Sequence, residues 1–455
     1  MSKRPLLTAL VLIAVTAGTA SAQILGGGGL GGGGLGGLAG GGLGSTVGGV
    51  GNSVDQTIGG LTGPIGSMLD PLDAGGRPTL DRVTQAFDVN IATPGRIANL
   101  RRERLNALIR ANRTTLDRDG DGQPVRKGEL VVTDPDPVSL AIAQRAGFRL
   151  TADQRIAELG LRMVTLALPR GMDVRDGLKA LRRVAPALQA DYNHLFEPAG
   201  GALLPAAAAL AAAPVVRAGT RIAMIDGGVA SHPSMAQAGI EQRGFAGAAQ
   251  PTGHGTAVGS LLVGSQGPFR GAARGAQLFV GDVYGGNPAA GSATTIVRAL
   301  AWAASKRPTV INISLIGPAN RAMARAISAL QARGITVVAA VGNDGPAAPP
   351  QYPASYPGVI AVTGVDAKDH ALREAGRALH LDYAAPGADL VAAAPGNGYI
   401  AVRGTSFAAP LVTARIAATG SPARLANEAV PGKGRVGQGI VCKMCRTPPK
   451  AVGLK

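Results

Sequence analysis

Between about residue 218 and residue 441 the chain alternates short apolar runs with helical patterns, and this alternation restricts the fold more than any other feature. Candidate strands at 221–225, 277–283, 309–314, 335–341 and 359–362 are apolar on both faces, and candidate helices at 256–263, 293–305, 319–333 and 406–418 separate or follow them. Strands of that kind belong inside a parallel sheet covered by helices on both sides. The expected fold class is α/β, a doubly wound parallel sheet. In such sheets the functional site lies at the carboxyl ends of the strands.

A second, smaller pattern precedes it. Strands at 129–133, 148–150, 161–168 and 190–194, with helices at 138–146 and 173–184, read as β-α-β-β-α-β, the split arrangement of a small ferredoxin-like α+β domain over 129–196. Just upstream, Asp117, Asp119, Asp121 and Gly122 imitate the start of a calcium loop, but the twelfth position is Gly128 and the acid, Glu129, falls one place late. A polar turn is expected there, with no metal and no cofactor. Residues 197–217, rich in alanine, read as an exposed linker to the larger domain at 218–441.

The ends bound where such a chain works. Residues 1–22 have Lys3 and Arg4, an apolar stretch from Leu6 to Ala17, then Ala20-Ser21-Ala22, the layout of a secretory signal peptide, too short an apolar run to span a bilayer. Export is expected, to the medium or the periplasm, with no stable membrane span. Residues 23–68 are dominated by glycine with Asp55 the sole charge up to Met68, a flexible spacer that cannot offset its backbone entropy by burial. Residues 69–128 form a basic helical and linker region. Its densest run, Arg96 to Arg113, carries Ile97, Leu100, Leu105, Leu108 and Ile109 at near-helical spacing, as a solvated helix with one packed face would.

The formal charge of +17 raises the question of nucleic acid. Of the 45 basic residues 36 are Arg, scattered along the chain with few aromatics for base stacking, so no nucleic-acid partner is expected. The only cysteines, Cys442 and Cys445, lie in the tail at 442–455. One C-x-x-C lacks the second pair of a structural zinc site and the helix start of a redox motif, which leaves a local disulfide or spectator thiols.

Acyl transfer by a serine needs a nucleophile, a base, an acid that orients the base, and donors aimed at the developing oxyanion. Asp226 follows the apolar run Arg221-Ile-Ala-Met-Ile225. His254 sits in Thr252-Gly-His-Gly-Thr-Ala-Val258, and Ser406 in Gly404-Thr-Ser-Phe-Ala-Ala-Pro410 at a helix start, where the amino-end dipole favours an anion. Asn343, in Ala340-Val-Gly-Asn-Asp-Gly345, ends another strand with an amide free to face that anion. Singly these read as a turn residue, a satisfied histidine, an N-cap and a turn former. Together, in the order Asp, His, Asn, Ser, each in its own glycine-bearing motif, they read as one site.

These segments resemble those of the subtilisin-like serine peptidases over roughly residues 218 to 441. The resemblance implies a serine endopeptidase with Asp226, His254 and Ser406 as triad, an oxyanion hole from the Asn343 amide and the Ser406 N–H, and polypeptide substrates. It further implies that Ser314, Leu315, Ile316 and Gly317 pair with an extended peptide, with a second wall near Tyr284–Gly286, and that 129–196 is a propeptide acting as an intramolecular inhibitor of a self-processing precursor. Two positions depart from the family: Gly227 stands where Ser or Thr is usual, and Asp344 adds a charge beside the oxyanion Asn. A non-catalytic peptide-binding or surface protein keeping this fold would have lost the nucleophile or the base, and both are present. An α/β-hydrolase esterase requires G-x-S-x-G and the serine first; here Ala408 replaces the second glycine and Ser406 comes last.

Overall fold

The computed structural model describes residues 93–200 and 216–454; the expected leader and glycine-rich spacer lie outside them. Helix α1 (Pro94–Ala111) opens at Thr93, whose hydroxyl accepts the Arg96 N–H. Ile97, Leu105, Leu108 and Ile109 are buried along one face, as their spacing predicts. Arg101 is buried as well, so the charges of this helix do not all face solvent.

The small domain follows with β1 (Leu116–Arg118), β2 (Pro124–Thr133), α2 (Pro137–Arg145), β3 (Arg149–Ile156), β4 (Leu161–Ala167), α3 (Val174–Val184) and β5 (Gln189–His194). Its sheet is antiparallel in the order β5-β2-β4-β3, with β1 added along β2, which is the ferredoxin-like arrangement. Side chains alternate across a strand, and β2 uses both faces. Leu130 and Val132 pack under α2 and α3, whereas Val131, with Met163 and Leu161 of β4, faces the large domain.

The chain continues through β6 (Glu197–Pro198) and resumes at β7 (Arg221–Asp226), β8 (Gly239–Gly244), α4 (Gly253–Val263), the short hairpin β9 (Ser265–Gln266) and β10 (Phe269–Arg270), β11 (Gln277–Asp282) and α5 (Ala293–Ser305). Then come β12 (Val310–Ile313), β13 (Leu315–Ile316), α6 (Arg321–Gln331), β14 (Thr336–Ala340), β15 (Ile360–Val365), β16 (Tyr383–Pro386), β17 (Leu390–Ala393), β18 (Tyr399–Val402) and α7 (Thr405–Thr419).

Seven of these strands form one parallel sheet in the order β16-β15-β14-β12-β7-β11-β8. Ile222 and Met224 of β7 pack with α4 and α7; Ala223 and Ile225 pack with α5 and α6 on the other face. Both faces are thus dry, which is why the run is apolar throughout. Strand order reverses around β7, so Asp226 sits at a switch point of the sheet. The edge strand β8, Gly-Ile-Glu-Gln-Arg-Gly, was not expected from the sequence because its solvated edge carries no apolar pattern. Cys442 and Cys445 form a disulfide.

Candidate active site

Asp226, at the end of β7, is fully buried, and its Oδ1 accepts from His254 Nδ1 at 2.8 Å and from the Gly227 N–H at 2.7 Å. His254 lies in the first turn of α4, which Thr252 caps through the Gly255 N–H. A Cβ on Gly227 would collide with Thr252 Oγ1 and lie 2.6 Å from its Cγ2. Glycine at 227 is therefore the counterpart of threonine at 252, which fills the space a side chain there would take.

Ser406 is the second residue of α7 and is buried. Its neighbours hold it in place: Thr405 Oγ1 accepts the Gly342 N–H, the Thr405 N–H donates to Asn343 Oδ1 at 3.0 Å, and Phe407 packs its ring 5.7 Å from that of His254. Beneath it Thr413 donates to Asn312, Asn312 to Ser314, and Ser314 Oγ to the Ser406 carbonyl at 3.0 Å. This buried chain of side-chain bonds fixes the helix start. Ser406 Oγ and His254 Nε2 are both buried without a hydrogen-bond partner, as is Asp226 Oδ2. Buried polar atoms left unpaired are few in folded proteins.

The edge at Leu315–Ile316 is paired by the chain itself. Residues 197–200, read from sequence as the start of an exposed linker, continue the small domain as a strand: Glu197 and Pro198 pair antiparallel with Ile316 and Leu315, and the Ala199 N–H donates to the Ser314 carbonyl at 2.8 Å. The side-chain amide of Asn343 donates to the Ala199 carbonyl. Across the strand, the Phe196 N–H donates to the Gly291 carbonyl, and the Tyr284 hydroxyl to the Phe196 carbonyl at 3.1 Å. Burial holds the Tyr284 phenol well above its usual range, keeping it a donor. Tyr284, from the stretch expected as a second wall near Tyr284–Gly286, and Gly291 thus line the other side of this strand. Gly317 pairs with Tyr352 and serves as a floor: a Cβ there would lie 2.5 Å from Phe196 Cδ1, and the Phe196 ring is fully buried above it.

The small domain also meets the large one through polar groups. Asp191 accepts the Arg321 N–H at the start of α6, and Asn193 accepts the Thr294 N–H at the start of α5. Two otherwise orphan helix donors are satisfied from outside their own domain. His194 lies between Asp119 and Asn320, at 3.1 Å from each. Asp119, a candidate of the imitation calcium loop, turns its other oxygen to the Asp121 and Gln123 N–H groups, so both of its oxygens are used within the protein.

Ala199, Gly291 and the arginines of α1 carry no sequence motif. The hint available was the apolar run Leu195-Phe196 leading to Pro198-Ala199-Gly200, a strand whose proline suits an edge.

A family model described as the subtilase family matches residues 217–426. Subtilisin Savinase of Lederbergia lenta is 32% identical over 199 residues, 43% of this chain and 73% of that protein. The alkaline protease of Alkalihalobacillus alcalophilus is 32% identical over the same length, which takes in 52% of it, so the chain spans about half of that relative. Among solved structures, fervidolysin from Fervidobacterium pennivorans, described as a keratinolytic enzyme related to subtilisin, superposes with a TM-score of 0.59 at 18% identity, covering 74% of this chain and 63% of that one, a likeness of fold.

Proposed function

The chain belongs to the subtilase family of serine peptidases, and from that premise we propose that it is a secreted or periplasmic endopeptidase that cuts its own precursor after Ala199 and then hydrolyses polypeptides. Among the described residues no helix is long and apolar enough to cross a membrane.

The observation that carries this reading is the Asn343 amide on the Ala199 carbonyl. An extended peptide added to β13 presents that carbonyl to the start of α7, with Phe196 anchored four residues ahead of the bond to Gly200. Asp226 orients His254 through Nδ1. His254 Nε2 takes the proton of Ser406 Oγ as the oxygen attacks the Ala199 carbonyl carbon. The electron pair moves onto the carbonyl oxygen, where Asn343 Nδ2 and the Ser406 N–H donate to it. Collapse breaks the C–N bond, the Gly200 nitrogen leaves with the proton from His254, and water then releases the acyl group by the same steps.

After the cut, residues up to Ala199 act as a prosegment. It stays bound as a product through β6, Phe196, and the Asp191 and Asn193 contacts to α5 and α6, and arrives already folded, which lowers the ordering cost of binding. A fluorophosphonate probe of activated serines, used beside casein hydrolysis, tests the peptidase. Processed wild-type protein is expected to be labelled and active, and Ser406→Ala neither; labelling and hydrolysis that persist in Ser406→Ala overturn the reading.

A further inference from the structure

Helix α1 lies outside the small domain's sheet, yet two of its arginines reach the groove. Arg101 Nε donates to Asp344 Oδ2 at 2.7 Å, and its Nη2 to Gln123 at 2.9 Å. Arg104 Nη2 donates to Glu197 Oε2 at 3.0 Å and to Asp344 Oδ1 at 3.1 Å. One guanidinium nitrogen therefore joins two carboxylates that would otherwise face each other. Arg101, Asp344 and Glu197 are all buried. Burial opposes the charge on Arg104, but Glu197 and Asp344 outweigh it and hold the guanidinium above its ordinary range. Even so the fit is incomplete, since Glu197 Oε1 and Arg104 Nε are buried without partners.

Glu197 is the third residue ahead of the bond after Ala199, and Asp344 directly follows the oxyanion donor. The two arginines lie on the amino side of that bond, so they depart with the prosegment. Asp344 accepts side-chain hydrogen bonds from Arg101 and Arg104. When α1 departs, Asp344 loses both of these guanidinium partners. We propose that Asp344 is a specificity-determining residue of the processed enzyme, which takes the side chain of an arginine or lysine placed three residues before the scissile bond of a polypeptide substrate.

The geometry supplies both halves of the discrimination. Arginine and lysine extend beyond the reach of glutamate and end in donors, so from the strand position of Glu197 they reach toward the place where Arg104 now meets Asp344. A glutamate at that position, without α1, sets one carboxylate against another in a partly dry groove, and like charges there are rejected. The precursor carries the disfavoured residue because α1, on the same side of the scissile bond, neutralises it.

This inference rests on the peptidase reading, and the test separates the two. Enzyme produced by self-processing of the full chain is assayed on three peptides, acyl-Phe-X-Pro-Ala-anilide with X as Arg, Ala or Glu. The Arg peptide is expected to exceed the Glu peptide in kcat/KM by about tenfold or more at low salt, with the ratio falling as salt rises. In Asp344→Asn the ratio is expected to shrink to within about threefold, whatever happens to the rate on the Ala peptide. Equal rates on Arg and Glu, or a preference that survives Asp344→Asn, overturn the role of Asp344 while cleavage of the Ala peptide leaves the peptidase standing. Failure to cut any of the three overturns the peptidase reading itself.

Discussion

The Asn343 side-chain amide donates to the carbonyl oxygen of Ala199, while its own carbonyl accepts the Thr405 N–H beside Ser406. One side chain thus ties the strand at 197–200 to the start of α7, beside Ser406.

Replacing Asn343 with alanine removes the donor and leaves the groove. The kcat for peptide substrates is expected to fall about 10²–10³-fold with KM little changed, a magnitude carried over from subtilisin. Steady-state kinetics on the processed enzyme check it, and an unchanged kcat removes Asn343 from the mechanism.

Phe196 is fully buried between Tyr284, Gly291 and Gly317. Truncating a ring in such surroundings costs about 3–5 kcal/mol. Prosegment carrying Phe196→Ala, added back to processed enzyme, is expected to inhibit at least about 100-fold more weakly. Equal inhibition constants for the two prosegments would show that the pocket contributes little to the hold.

Gly227 and Thr252 share one space, so restoring the hydroxyl usual in the family does harm in this chain. Gly227→Ser is expected to destabilise by about 1–3 kcal/mol through overpacking. Adding Thr252→Gly, which costs only a few tenths of a kcal/mol as an N-cap, should return most of that loss. Denaturant unfolding of the two variants decides it; additive losses contradict the shared-space account.

Asp119 gives a pH dependence. Burial raises its carboxyl, but hydrogen bonds from His194 and from the Gln123 and Asp121 N–H groups win and hold it below the ordinary carboxylate range. A depressed carboxyl contributes stability that is complete above its unfolded value, about 3.9, and is lost as pH falls through the folded value. The intact Ser406→Ala precursor should therefore lose stability on acidification below about pH 4 more steeply than the same protein with Asp119→Asn. Parallel stability curves for the two would remove Asp119 as a source of acid sensitivity.

The parallel sheet was legible in the sequence because β7, β11, β12, β14 and β15 are buried on both faces and predominantly apolar. The candidate site residues stood out because they sit at strand and helix ends, where glycines mark the turns. Polar edges and long-range ion pairs did not. Arg101 meets Asp344 across 243 residues, and nothing local distinguishes it from its solvated neighbours on α1. The bound strand at 197–200 escaped notice for a related reason: its partner is an edge of another domain, and Glu197 looks like a surface residue until Arg104 is set against it.

The central claim is that Ser406 cuts this chain between Ala199 and Gly200. Ser406 Oγ is buried without a partner, so Ser406→Ala removes the nucleophile with no hydrogen bond to break. Intact-mass analysis of both proteins, expressed in a host lacking other extracellular peptidases, measures the outcome directly. Wild type should yield a prosegment whose carboxyl terminus is Ala199, and Ser406→Ala a single chain that remains joined across that bond. Cleavage at Ala199–Gly200 to the same extent in Ser406→Ala, or a wild-type prosegment that ends elsewhere from the outset, would contradict the account.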